Sequence, residues 1–334
     1  MITYIIRRIF LLIPVLFGVS LATFVVMHLF TTDPAEIILG QHATVERAAA
    51  LREEMGLNKP IYIQFGDYLS GALQGDLGKS VITKSSISEE LIKRFPATVE
   101  LAIAAICIAM VLGVTLGTIS AVKQNSIFDY GTMVAALMGV SMPIFWLGLM
   151  MIIIFSVTLG WLPSSGRIGI GMQPDNITGL YILDSLLTGN MESLRDAFEH
   201  LIMPAMALGS YSTAIIARMT RATMLETIRQ DYIRTARAKG LSETVVIIKH
   251  GLRNALIPVV TVIGLQVGSL LGGAVLTETV FSWPGIGSYV VEGVMASDYP
   301  RVQGAVLLIG TIFVMVNLMV DVLYSYLDPR IKHM

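Results

Sequence analysis

Six uncharged, apolar windows recur along the chain, at positions 9–32, 101–122, 130–160, 201–217, 255–276 and 302–320. The hydrocarbon core of a bilayer, about 30 Å thick, is crossed by about 20 such residues in a helix. A water-soluble domain carries about a quarter charged residues. Here 14% of 334 residues are charged, too few to cover six such windows with a polar surface. The expected fold is therefore an all-α polytopic membrane protein with six transmembrane helices. The fourth window is the shortest, and the third, at 31 residues, is long enough to tilt or break, with Pro143 as the expected kink.

Basic residues set the expected orientation. Starting inside, the segments 1–8, 123–129, 218–254 and 321–334 hold 13 of the 23 lysines and arginines, while the two shorter outer connections hold only Arg167, Arg195 and Arg301. Cytoplasmic loops carry the excess of positive charge, and long outer stretches are exempt. Both termini are thus expected in the cytoplasm. Arg7-Arg8 before the first window reads as the anchor of a retained helix rather than a cleaved leader.

Three regions follow: 1–30, the cytoplasmic N-terminus and first spanning helix; 31–100, a small extracytoplasmic helical domain with turn signals at Asp33-Pro34, Asn58-Lys59-Pro60 and Gly75-Asp76; and 101–334, a five-helix core. The stretch 161–199, rich in Gly, Ser, Asn and Asp, reads as an outer loop. The single cysteine, Cys107, excludes an internal disulfide and reads as a small buried hydrophobe. A net charge of −1 gives no sign of a nucleic-acid partner.

Most chemical motifs fail. Gly78-Lys79-Ser80 resembles the end of a phosphate-binding loop, but the glycine required five residues earlier is Leu73. Gly169-Ile170-Gly171 and Gly285-Ile286-Gly287 lack the third glycine of a dinucleotide loop. The five histidines are scattered, so no metal site is expected, and no nucleophile–base motif marks an enzyme.

The most informative stretch lies between the fourth and fifth windows, within a basic loop at 221–254. It reads Asp231-Tyr232-Ile233-Arg234-Thr235-Ala236-Arg237-Ala238-Lys239-Gly240-Leu241. Asp231 is a candidate N-cap. Gly240 permits the left-handed turn that ends a helix, and Ser242 can start a second, which carries Lys249, His250, Arg253 and Asn254 up to Pro258. Read from the residues alone, this is either a solvated positive loop or a helix–bend–helix that plugs into a partner.

That stretch, with Leu252-Arg253-Asn254-Ala255, resembles the cytoplasmic coupling loop of the dipeptide/oligopeptide/nickel family of ABC importer permeases. The resemblance extends over nearly the whole chain, through Gly75-Asp76-Leu77-Gly78 with Ser80, Ser141-Met142-Pro143-Ile144-Phe145-Trp146, Arg218-Met219-Thr220-Arg221, Phe281-Ser282-Trp283-Pro284-Gly285 and Asp298-Tyr299-Pro300. Within the family the pattern is nearest to the B-type subunits of dipeptide permeases. The wider importer class often has an acidic residue six before the loop glycine; Arg234 stands there, so that role is not carried over.

The resemblance implies a type I importer fold in a bacterial plasma membrane and transport of dipeptides or short oligopeptides. It also implies partners: a second permease forming a heterodimer with this one, two ATP-binding subunits that hold ATP and magnesium, and an extracytoplasmic substrate-binding protein. No cofactor is expected in this chain. The coupling set is Asp231, Tyr232, Arg234, Ala236, Arg237, Ala238, Lys239, Gly240, Leu241, Arg253 and Asn254. Candidates for the path or a gate are Pro143, Phe145, Trp146, the stripe Gly264, Gly268 and Gly272, and Glu278, Phe281 and Trp283. Each has a plainer reading: close helix packing for the glycines, tied helix ends for Glu278, an interfacial anchor for Trp283, and core or lipid packing for Phe145 and Trp146. Alternatives are the same architecture importing nickel, glutathione or haem-related compounds, and a proton-coupled secondary transporter. Only Glu278 and Asp321 are candidate intramembrane carboxylates for the latter.

Overall fold

The structure, a computed structural model, describes residues 2–30, 35, 39, 44–54 and 56–327, without the side chains of 2–9, 27–30, 54, 271–273, 321 and 323–327. Asp33-Pro34 and the tail after position 327 lie outside the described residues, as do the surroundings of Gly272 and the side chain of Asp321. Among the described residues every long element is a helix, and strand pairing is limited to one isolated antiparallel bridge, Lys79 with Ser86. The helices are α1 (Ile2–Phe30), α2 (Val45–Glu54), α3 (Ile61–Leu73), α4 (Ile87–Val122), α5 (Ile127–Ser141), α6 (Ile144–Met151), α7 (Tyr181–Thr188), α8 (Met191–Ile228), α9 (Asp231–Ala238), α10 (Arg253–Val280), α11 (Ile286–Met295) and α12 (Tyr299–Leu327). A π-helical stretch, Ile152–Thr158, prolongs α6, and another, Val246–Leu252, leads into α10.

Four helices among the described residues are long and apolar enough to cross a membrane, lying in α4, α8, the helix that continues into α10, and α12. A fifth crossing arises if α5 and α6 are taken together, and the described apolar stretch of α1, Phe10–Val26, is shorter. The third window is therefore broken rather than kinked: α5 and α6 meet at 109°. Pro143 has no N–H to continue the ladder and disfavours helical geometry at Met142, which is extended (ψ 133°). Leu147 N–H takes up the Pro143 carbonyl at 3.0 Å, restarting the ladder.

The chain divides into two compact units, 1–98 with 284–334, and 99–283. In the first, Ile87 and Leu91 of α4 bury against Ile286 and Tyr289 of α11 and Ala305 of α12. Phe65 of α3 meets Phe17 and Phe24 of α1 edge-on at 5.7 and 5.2 Å. The glycines at 75 and 78 adopt positive φ and fold the Gly75–Ser80 motif into a tight turn, closed by the Asp76 carboxylate on the Gly78 N–H at 2.9 Å. Ser80 Oγ and the Val81 N–H then donate to the fully buried Asp298 carboxylate. The Gly-Asp-Leu-Gly and Asp-Tyr-Pro motifs thus meet through one hydrogen-bonded aspartate.

The second unit is organised around α8, which packs along α10 and also against α5, α6 and α7. Small residues permit this. A Cβ on Gly117 of α4 would lie 2.5 Å from the Ala217 carbonyl oxygen, and one on Gly209 of α8 would lie 2.7 Å from the Ala105 oxygen. Gly113 is equally tight, against Ile216. Buried Ser212 donates to Gln266 Oε1 at 3.0 Å, linking α8 to α10. Cys107 departs from expectation: it is exposed on α4, as are Ile103, Val111, Leu112 and Leu116. An apolar face turned to lipid needs no burial within the protein, so hydropathy alone does not tell an inward cysteine from an outward one.

The stretch 161–199 is more ordered than its composition predicts. It contains α7, bounded by the left-handed Gly179 and Gly189, and then the first turns of α8. Asp184 is fully buried. Burial would raise its carboxyl, but the Thr178 hydroxyl and the N–H groups of Thr178, Gly179 and Ile177 all donate to it and hold it below the usual carboxylate range. Arg167 is 7% exposed and donates twice to Glu100 Oε2, at 2.9 and 2.6 Å, and once to the Gly179 carbonyl, while its guanidinium covers the Tyr181 ring at 3.8 Å. Glu100 also accepts from the Ile182 N–H at 2.8 Å. Arg167→Met leaves the buried Glu100 without its countercharge, which costs about 3–5 kcal/mol. A thermal melt of the purified variant in detergent is expected to show a clear drop in midpoint.

Candidate functional site

The basic stretch after α8 folds as a short helix, a bend and a second helix. Ile233 and Ala236, three apart on α9, share one face and bury against Val246. The rest of the helix and its C-cap expose Arg234, Arg237, Ala238 and Lys239. At Gly240 the backbone turns left-handed (φ 76°), with its N–H on the Arg237 carbonyl at 2.9 Å, a conformation that an L side chain strains. Ser242 precedes the next helical turn, Glu243–Val245, without capping it through its side chain. The bend is braced across its open side: Arg237 forks onto Glu243, with Nε to Oε1 at 2.8 Å and Nη2 to Oε2 at 3.3 Å. Asn254 Nδ2 donates to the Tyr232 hydroxyl at 2.9 Å and to the His250 carbonyl at 3.0 Å, tying the start of α9 to the start of α10.

Asp231 does not cap α9. Gln230 occupies that position, and the Asp231 carboxylate instead meets Arg234 at 3.5 Å in the first turn. There it still complements the positive end of the helix dipole. Arg253 is exposed, and Tyr232, Leu241, Val245 and Ile248 present apolar surface beside the basic residues. The residues expected to couple thus fall within one helix–bend–helix, all exposed except the buried Ala236. A cavity of about 330 Å³ adjoins it, lined by Ala121, Gln124, Leu225, Arg229, Arg237 and Glu243 among others.

The candidate path residues do not converge on one cavity among the described residues. Pro143, Phe145 and Trp146 are exposed around the break between α5 and α6. An apolar cavity of about 340 Å³ lies between α4, α5, α6 and α8, but Leu112, Gly139, Leu147, Met151, Phe155 and Met206 line it instead. Gly264 is half-buried and Gly268 buried on α10. Phe281 is buried against Met151, Met203 and Ala207, and a Cβ on Gly148 would touch its ring at 3.0 Å. Trp283 is 1% exposed, which corrects its reading as an interfacial anchor. The cause is local. Ser282 takes a left-handed conformation, the Trp283 N–H turns back to the Glu278 carbonyl at 2.8 Å, and the indole is carried inward to 5.9 Å from the Arg167 guanidinium. Glu278 is itself fully buried at this helix end.

Two ion pairs, each on a buried carboxylate, escape a reading by motifs. Besides Glu100–Arg167, Arg221 of α8 forks onto Asp129 of α5, with Nε to Oδ1 and Nη2 to Oδ2 both at 2.7 Å. Ser120 of α4 donates to the same carboxylate, and the Asn125 N–H reaches it at 2.9 Å. A signal for this pair does exist in sequence: opposite charges stand at the edges of the third and fourth apolar windows.

Comparison with known proteins places these features. Residues 113–333 match the model of the binding-protein-dependent transport system inner membrane component family, and residues 1–102 match the model of its N-terminal region. The chain belongs to this family. It is 52% identical to a dipeptide transport system permease protein of Alkalihalophilus pseudofirmus, over 100% of both chains. It is 49% identical to a di/tripeptide transport system permease protein of Pseudomonas aeruginosa, over 100% of this chain and 99% of that one. It is 41% identical to a glutathione transport system permease protein of Escherichia coli, over 100% of both. The protein is a multi-pass membrane permease, and permeases of this kind work with other components of their transport system, a binding protein among them.

The geometry at Gly240 makes a sharp prediction. Proline cannot reach φ 76°, removes the N–H that closes the turn, and disfavours the near-helical backbone of Lys239. Gly240→Pro is expected to reach the membrane at normal levels and to lose transport. Gly240→Ala, which strains the turn by about 1–2 kcal/mol, retains part of it. Immunoblotting of membranes alongside transport measurements checks both.

Proposed function

We propose that this chain is one of two permease subunits, in a heterodimer, that together enclose the path of an ABC importer for dipeptides or short oligopeptides. Full-length identity of 52% and 49% to permeases named for dipeptide and di/tripeptide transport carries the substrate assignment. Two ATP-binding subunits hold ATP and magnesium, an extracytoplasmic protein delivers the peptide, and this chain has neither a cofactor nor an ATPase site of its own.

In this reading the chain crosses a bacterial plasma membrane six times, through α1, α4, the α5–α6 pair, α8, α10 and α12. Both termini and the 221–254 loop are cytoplasmic, while 31–100 and 161–199 lie outside. The density of lysine and arginine in the loop supports that orientation. The braced bend at Gly240 is the coupling device. When ATP binding closes the partner subunits, they displace α9 as a rigid body. The displacement passes into α8 and α10, the two helices that enter and leave the loop, and so alternates access to the path. A solvated loop would need neither the Arg237–Glu243 fork nor the Asn254–Tyr232 bond. Glutathione, itself a modified tripeptide, is the second reading, favoured by the 41% identity to a permease named for it.

The test is uptake of a labelled dipeptide by the complete complex in proteoliposomes. Vanadate is expected to abolish uptake, and a protonophore to leave it unchanged. Uptake that survives vanadate but collapses with the proton gradient would overturn the ATP-driven reading, as would ATP turnover by this chain alone.

A further inference from the structure

A displacement of the loop moves the path only if α8 takes the other helices with it. α8 ends at Ile228, and Arg221 lies about two turns before that end. Its guanidinium holds Asp129, which is 2% exposed and sits in the first turn of α5. The same carboxylate is tied to Ser120 near the end of α4 and to the Asn125 N–H in the turn between α4 and α5, and Arg221 Nε also reaches Ser120 Oγ at 3.1 Å. Four chain segments therefore meet at one carboxylate, at the loop end of α8. The neighbouring contact, Gly117 against the Ala217 backbone, is tight but carries no directional bond.

Stability alone does not account for this arrangement. A buried ion pair is often no more stabilising than well-packed apolar residues of the same volume. A bidentate fork adds fixed direction in two bonds at once. Apolar helix faces can slide past one another, whereas a double bond from the half-buried Arg221 onto a buried carboxylate resists shear along the helix axes.

Resting on the permease reading above, we infer that Asp129 and Arg221 are positioning residues for transport. Together they form the strut that converts a displacement of the 231–254 loop, arriving along α8, into movement of the α4–α5 hairpin and of the broken α5–α6 crossing beyond it. Neither residue contacts the peptide. Without the strut, ATP hydrolysis on the partners continues, but less of it moves substrate.

The experiment measures peptide uptake and ATP hydrolysis together, in the complete complex with its binding protein in proteoliposomes. In D129A/R221M both charges are removed, so none is stranded in the interior. This variant is expected to assemble and to lower uptake per ATP hydrolysed about tenfold, within the range of typical site-to-site coupling. R221K keeps the charge but not the fork and is expected to recover part of that ratio. An unchanged ratio in the double variant overturns the inference, as does a proportionate fall of uptake and hydrolysis. If the double variant fails to assemble, an unchanged ratio in R221K overturns it and a lowered one supports it. A wild-type complex without ATP-driven uptake would instead overturn the permease reading itself.

Discussion

In hydrocarbon no water is present to satisfy a backbone N–H or C=O, so each must be bonded within the chain. Much of the helical part of this protein follows from that constraint. It makes every apolar window a helix and keeps the break in the third window short. At Met142-Pro143 the ladder is interrupted, yet Met142 N–H still reaches the Met138 carbonyl and Leu147 N–H the Pro143 carbonyl. It also makes close helix approach depend on small residues, because apolar side chains gain little by leaving lipid for protein. Gly113, Gly117 and Gly209 set the spacing of α4 and α8.

The same constraint governs the polar residues. Three polar contacts cross between segments in the helical interior: Ser212 with Gln266, Glu100 with Arg167, Asp129 with Arg221. Each pair joins segments far apart in the chain. Glu100–Arg167 fastens the 161–199 stretch to α4, and Asp129–Arg221 fastens α5 and the α4–α5 turn to α8. Polar contacts specify which helices belong together, and glycines allow them to meet. The loop at 231–254 follows a different logic. It is exposed and basic, and surface bonds brace it across a glycine bend, which suits the docking role proposed for it.

The helices themselves were legible in the sequence, because a hydropathy window registers a bilayer crossing directly. Their lengths were not. α4 begins at Ile87, before its apolar window, because Glu89, Glu90, Lys93 and Arg94 continue the helix while lowering its hydropathy. α8 likewise begins at Met191. Gly240 was legible because a left-handed turn has few residue choices. The ion pairs were harder, since local periodicity carries no information about a partner 67 or 92 positions away. Trp283 misled for a related reason. Aromatic residues near the end of an apolar window are commonly anchors, and only the left-handed turn at Ser282, a residue with no glycine signal, carries this one inward. The ordering of 161–199 was hidden by its glycines, which bound a short amphipathic helix instead of dissolving it.

The central claim is that the braced loop is where partner subunits drive this permease. It is tested most directly by cysteine cross-linking. The chain has one native cysteine, Cys107, so a Cys107→Ser background carrying Leu241→Cys places a single thiol at the exposed bend. In the assembled, transport-active complex, a short bifunctional reagent is expected to join this position to an ATP-binding subunit, with a yield that changes when ATP binds. A complex that transports normally, yet gives no cross-link from position 241 or from position 232 in the same background, would contradict the account.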